Sequence, residues 1–175
     1  MRDVSFSPDG GEVAFTTGAG GIAVHALGGG PTRRLAGGTG PVWGPQAIAF
    51  HRGAGLRGDV WTVRPGSEPI RLTRTHAGVF PVAWSADGTR LLAANPAMHN
   101  GRLWAVDAPS GNARPLTDWR GDLYGQGISY DGRTVLAAIG CGGMIGPAGV
   151  VETIPFAGGK PTVVVKGPCR ASWNE

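Results

Sequence analysis

Short apolar runs alternate with turn residues along the whole chain, and no stretch sustains a helical period. Val82-Ala83-Trp84 runs into Ser85-Ala86-Asp87-Gly88, and Leu91-Leu92-Ala93-Ala94 follows. The same phrase stands earlier as Phe6-Ser7-Pro8-Asp9-Gly10 before Val13-Ala14-Phe15, and later as Ile128-Ser129-Tyr130-Asp131-Gly132 before Val135-Leu136-Ala137. Two apolar runs hinged by Asp-Gly predict a hairpin, because glycine accepts positive φ and the aspartate bonds nearby amides. The three aspartates, at positions 9, 87 and 131, stand 78 and then 44 residues apart, so the hairpin recurs.

The recurrence divides the chain into four units. The first, 4–40, carries strands predicted at 4–6, 12–17, 22–26 and 32–36. The second, 41–78, opens on a degenerate turn, Trp43-Gly44-Pro45-Gln46, and continues with strands at 47–51, 59–63 and 69–73. The third, 79–125, has strands at 82–84, 90–94, 102–106 and 113–117. The fourth, 126–167, has them at 127–129, 134–139, 149–154 and 161–166, and 168–175 reads as the start of a further or closing strand. Asp59-Val60-Trp61-Thr62-Val63 and Arg102-Leu103-Trp104-Ala105-Val106 are equivalent third strands. Gly30 to Leu35, Glu68 to Thr73 and Asn112 to Thr117 are equivalent fourth strands. Four short strands per period of about 40 residues predict propeller blades. The expected fold is all-β: one propeller domain over 1–175, with about four four-stranded antiparallel blades.

Composition agrees with that reading. The 32 glycines and 14 prolines among 175 residues sit between the apolar runs, and a 41% apolar fraction is enough for a core. The net charge of +4 is spread thinly, without the basic stripe and interleaved aromatics of a nucleic-acid binder, so no nucleic-acid partner is expected. No segment has the length of a membrane span. The first residues, Met1 to Ser7, hold no apolar signal-peptide core, so the chain as written is expected to stay where it is made.

Catalytic constellations are missing from the sequence: neither a Gly-x-Ser-x-Gly elbow nor His-Glu-x-x-His occurs. No catalytic residue, metal or other cofactor is expected. Asp9, Asp87 and Asp131 lack the alternating oxygen ligands of a calcium loop and are read as turn caps. His25, His51, His76 and His99 show no metal spacing, although the last three fall in or beside loops that a propeller gathers on one face. That face is the expected ligand-binding site, carried by His51, Arg52, Arg57, Arg74, His76, His99, Asn100, Trp119, Arg120 and Tyr124, with Met98, Asp122 and Met144 beside them. Loop aromatics and arginines suit protein recognition. Trp43, Trp61, Trp84 and Trp104 recur at strand positions and are read as blade packing. Cys141 and Cys169 either remain free thiols or form a disulfide, since both are expected near one end of a blade; such a bridge would contribute about 3 kcal/mol.

The ordered motifs of Phe6 to Phe15, Gly28 to Leu35, Trp84 to Ala94, Trp104 to Asp107, Arg114 to Thr117 and Ser129 to Leu136 resemble the WD40-like repeats of TolB-type β-propellers. The resemblance implies a six-bladed propeller, periplasmic or extracellular, acting as a non-catalytic scaffold for a protein or peptide. Six such blades need roughly 240 residues, so it also implies a piece of a longer propeller or a shortened one. An open arc would favour self-association through its edges. Two alternatives stand beside the scaffold: the propeller part of a prolyl-oligopeptidase-type peptidase or other propeller enzyme, and a carbohydrate binder stacking sugars on Trp119 and Tyr124.

Overall fold

The computed structural model describes residues 3–54, 57–95, 101–118, 123–139 and 149–167, with side chains for all of these except 123–126. Blade 1 holds β1 (Val4–Phe6), β2 (Glu12–Thr17), β3 (Gly21–Ala26) and β4 (Arg33–Gly37). Blade 2 holds β5 (Thr39–Trp43), β6 (Ile48–Arg52), β7 (Asp59–Val63) and β8 (Ile70–Arg71). Blade 3 holds β9 (Phe80–Trp84), β10 (Arg90–Asn95), β11 (Arg102–Asp107) and β12 (Asn112–Pro115). Blade 4 holds β13 (Leu123–Ile128), β14 (Thr134–Ile139), β15 (Gly149–Pro155) and β16 (Thr162–Gly167). Each blade is a four-stranded antiparallel meander in chain order. Among the described residues there is no helix long and apolar enough to cross a membrane.

The recurrent turn is held by its own side chains. The Ser7, Ser85 and Ser129 hydroxyls each donate to the aspartate two residues on, at 2.6 Å. The same oxygens accept the N–H that opens the next strand, from Glu12, Arg90 and Thr134 at 2.9, 3.0 and 2.9 Å. Each carboxylate also takes an N–H two residues further, from Gly11, Thr89 or Arg133. These bonds, the serine hydroxyl first, hold all three aspartates below the ordinary carboxylate value, and Asp87 is brought down to about 2. A depressed folded-state pKa stabilises above the unfolded value, so Asp87's contribution is whole above pH 3.8 and is lost as acid carries the pH toward 2. Ser85 is 1% exposed. Ser85→Ala, which strands the Arg90 N–H, is expected to lower stability by about 1–3 kcal/mol. Urea unfolding of the variant beside wild type, at pH 7 and at pH 3, measures both effects.

Blade 2 departs from this turn for a steric reason. Gly44 stands at the serine position, and a Cβ there would lie 2.5 Å from the Trp84 ring. The indole crosses from blade 3 to donate to the Val42 carbonyl at 3.1 Å, and the turn closes early, Gly44 N–H to Ala47 O.

Strand ends differ from expectation in two regular ways. First strands begin early, β9 at Phe80 and β13 at Leu123, and each carries a register shift against its neighbour. Pro41 and Pro81 fit there because a blade's first strand is paired on one side only. The fourth strands of blades 2 and 3, β8 and β12, stop early, because the threonine hydroxyl takes over from the backbone. Thr73 Oγ1 accepts the Val60 N–H and Thr117 Oγ1 the Leu103 N–H, both at 3.1 Å.

Strand alternation turns successive residues toward opposite neighbours. On β10, Leu91 and Ala93 face blade 2, whereas Leu92 and Ala94 face blade 4. Ile48, Phe50 and Val63 meet Ala14, Ile22 and Val24 between blades 1 and 2. Leu92, Leu103 and Ala105 meet Val135, Ala137 and Ile154 between blades 3 and 4. Trp43, Trp61, Trp84 and Trp104 pack, partly buried, against these clusters. First strands adjoin in series, β5 against β1, β9 against β5 and β13 against β9, so the blades form one arc.

Candidate functional site

In an antiparallel meander, connections alternate between the two ends of the sheet. The Ser-x-Asp-Gly turns and the third-to-fourth turns therefore lie on one face of the arc. Loops from second to third strands, and the links between blades, lie on the other.

On this second face the organising group is Asp59, the first residue of β7 and 1% exposed. Its Oδ2 accepts from Arg71 Nη2 at 2.6 Å. Its Oδ1 accepts from the Thr73 hydroxyl at 2.9 Å, the Thr75 N–H at 2.7 Å, the Thr75 hydroxyl at 3.0 Å and the His76 N–H at 3.3 Å. Burial pushes this carboxyl up, but the bonds from Arg71, Thr73 and Thr75 outweigh it and hold Asp59 below the ordinary value. One buried carboxylate thus shapes the whole link between blades 2 and 3. The grip extends to His76, which sits at φ 52, in the left-handed region unusual for a residue with a side chain. Its ring lies 3.3 and 3.4 Å from Arg71 Nη2 and is largely exposed.

Arg52 ends β6 directly opposite Asp59, with its guanidinium 4.7 Å from the centre of the Trp61 ring. Arg57 and Arg74 are exposed in the loop and the link at the same end. Blade 2 holds only two carboxylates, Asp59 and Glu68, and Glu68 lies in the turn at the opposite end. Arg52, Arg57 and Arg74 therefore form an exposed cationic rim at this end, with the His76 imidazole among them, beside a carboxylate already engaged by Arg71.

His51 lies at this end of β6 but faces inward, 3% exposed. It stacks on Phe80 at 3.8 Å between ring centres and 17° between planes, and its Nδ1 lies 3.0 Å from the Val79 carbonyl. An acceptor there places the proton on Nδ1 and leaves Nε2 as a buried acceptor with no hydrogen-bond partner among the described residues. His25 bonds Thr32 Oγ1 at 3.1 Å on blade 1. Met98, His99, Asn100, Trp119, Arg120, Asp122, Cys141, Met144 and Cys169 lie outside the described residues. Tyr124 pairs with Ala138 on β13, and its side chain also lies outside the description.

The opposite face carries a groove that the sequence did not single out. It measures about 230 Å³, lies between blades 2 and 3, and is lined by Gln46, Ala47, Thr62, Arg64, Leu72, Trp84, Ala108 and Pro109. Arg64 Nε donates to the Gln46 carbonyl at 3.1 Å.

Among described residues, no three His, Cys, Asp or Glu side chains converge as a metal site would require. No family model and no curated protein matches the chain. Solved structures do. TolB from Acinetobacter baumannii is 22% identical, with a TM-score of 0.70 over 94% of this chain and 43% of its own. A chain of a nidogen/laminin complex is 15% identical, with a TM-score of 0.68 over 91% of this chain and 62% of that one. An oligogalacturonate lyase in complex with manganese is 16% identical, with a TM-score of 0.66 over 93% of this chain and 51% of that one. The chain thus spans less than two thirds of each of these structures, and at such identities the likeness shows the fold: a β-propeller, similar to that of TolB.

Proposed function

We propose that the chain is a non-catalytic binding scaffold that takes an acidic peptide segment of a protein partner on its loop-rich face. The observation that carries this is the rim of Arg52, Arg57, Arg74 and His76 at one end of blade 2, where the bonds of Asp59 hold the link that carries Arg74 and His76. Rigid backbone beneath charged loops lowers the ordering cost of binding, and guanidinium groups pair bidentately with carboxylates. The nidogen/laminin neighbour, a propeller seen in a protein complex, supports a protein partner.

A glutamate-rich peptide is expected to bind with an affinity that falls as salt is raised, because exposed charges are screened. Reversing two of the rim charges, Arg52→Glu with Arg74→Glu, is expected to weaken it by about tenfold or more, equivalent to about 1.4 kcal/mol. Calorimetric titration at two salt concentrations decides the matter; unchanged affinity in the double variant overturns the proposal. A second reading, a propeller enzyme, rests on the lyase neighbour alone. Turnover of oligogalacturonate in the presence of manganese would favour it over the scaffold.

A further inference from the structure

Hairpins of blades 1, 3 and 4 share one backbone bond that aligns their positions. Leu27 N–H donates to Gly11 O, Ala108 N–H to Thr89 O and Phe156 N–H to Arg133 O, so these three residues occupy one position in blades 1, 3 and 4. The turn bonds Gly44 N–H to Ala47 O and Ser85 N–H to Arg90 O likewise place Ala47 and Arg90 at one position in blades 2 and 3.

Between blades 3 and 4 both positions are filled. Phe156 is 6% exposed in the core of that interface. The Arg90 guanidinium lies over its ring, 5.4 Å from the centre, and donates to the Gly132 carbonyl at 2.9 Å. Arg114 holds the Phe156 carbonyl. Between blades 2 and 3 the same two positions carry Ala108 and Ala47. The groove of about 230 Å³ is lined by both alanines, at the positions that an aromatic ring and its arginine hold one blade further on. Trp84, Leu72 and Pro109 also line it and offer apolar contact to a ring.

A cation is present as well. Arg64 is exposed at the groove and spends Nε on Gln46, and neither terminal nitrogen has a hydrogen-bond partner among the described residues. We propose that this groove binds the C-terminal aromatic residue of a peptide. The ring enters beside Trp84, where Phe156 lies at the next interface, and the terminal carboxylate meets the Arg64 guanidinium. A planar fork aimed at a carboxylate fixes the orientation, while the ring supplies the apolar contact. The site lies on the face opposite the cationic rim and is independent of it.

The test is a ¹⁵N NMR titration with an N-acetylated peptide ending in phenylalanine with a free carboxylate, and with the same peptide amidated at that end. Saturable shifts are expected at the Trp84 indole N–H and the Arg64 Nε–H, with the amidated peptide at least tenfold weaker. Ala108→Phe fills the groove as blade 4 does and is expected to abolish the response without lowering the melting temperature. Ala47→Arg, which restores the other half of the pair, should do the same if the phenylalanine variant folds poorly. Arg52→Glu with Arg74→Glu should leave this response intact, which separates it from the loop face. No shift at either group up to the solubility of the peptide overturns the proposal, as does a response that survives in a folded Ala108→Phe or Ala47→Arg variant. Equal binding of the amidated peptide overturns the role given to Arg64.

Discussion

Replacing Asp59 with alanine is expected to lower the stability of the chain by about 3–5 kcal/mol, the range for removing one partner of a buried ion pair. The Arg71 side chain is 32% exposed and can turn toward water once its partner is gone, which argues for the lower part of that range. Thr73 works in the other direction. It is fully buried, and its hydroxyl loses an acceptor while still holding the Val60 N–H. Thr75 and His76 lose the acceptor that bends the link between blades, and His76 has no remaining reason to hold a left-handed backbone. Asp59→Asn keeps the shape and one acceptor oxygen but removes the charge, so it should fall between alanine and wild type. Urea unfolding of both variants gives the ranking, and a loss in Asp59→Ala below about 1 kcal/mol would mean the network is ornamental. Asp59 is held below the ordinary carboxylate value, so its contribution is present at neutral pH and is lost as acid protonates it. The difference between wild type and Asp59→Ala should therefore shrink below about pH 4.

Phe50→Ala is the second large effect, expected at about 3–5 kcal/mol. Phe50 is fully buried between blades 1 and 2, against Ala14, Ile22, Val24 and Ala36 across the interface. Gly38 packs so close that a Cβ there would fall 2.4 Å from the ring, so removing the ring leaves a hole against backbone rather than against adaptable side chains. The site therefore relaxes poorly, and the loss should sit at the upper end. Because blades touch only their neighbours, the damage should concentrate at one interface. Amide exchange in β1 to β4 is expected to accelerate before exchange in β9 to β12. Uniform acceleration through all four blades would show instead that the arc unfolds as a single unit.

The parts of this fold legible in the sequence are those whose causes are local. Ser85, Asp87, Gly88 and Arg90 complete one another's bonds within six positions, so the hairpin announces itself wherever the phrase recurs. The early starts of β9 and β13 were hidden by Pro81 and by Gly125, residues that strand propensity discounts. They are tolerated because a first strand needs a ladder on one side only. The short fourth strands were hidden for another reason: nothing in Leu72-Thr73 says that a hydroxyl will replace a carbonyl in the ladder. For the loop face, the identities of Arg52, Arg57, Arg74 and His76 were legible. The residue that holds the link carrying Arg74 and His76 was not, because the groups that bond Asp59 come from Arg71 onward, after another strand and a turn. The groove was missed for want of a superposition of the blades. Its signal was present as Ala108 standing where blade 4 has Phe156.

By itself the sequence determined the blade count, the meander within each blade and the apolar alternation that lets blades stack, because each follows from turn chemistry and from the two-residue period of a strand. Only the tertiary structure decided what the faces offer. An interface is filled or open according to side chains from two blades, as with Trp84 over Gly44, Phe156 under Arg90 and Ala108 beside Ala47. A buried carboxylate becomes an organiser only when the chain returns to it. Both depend on distances across the blades, which no local pattern encodes.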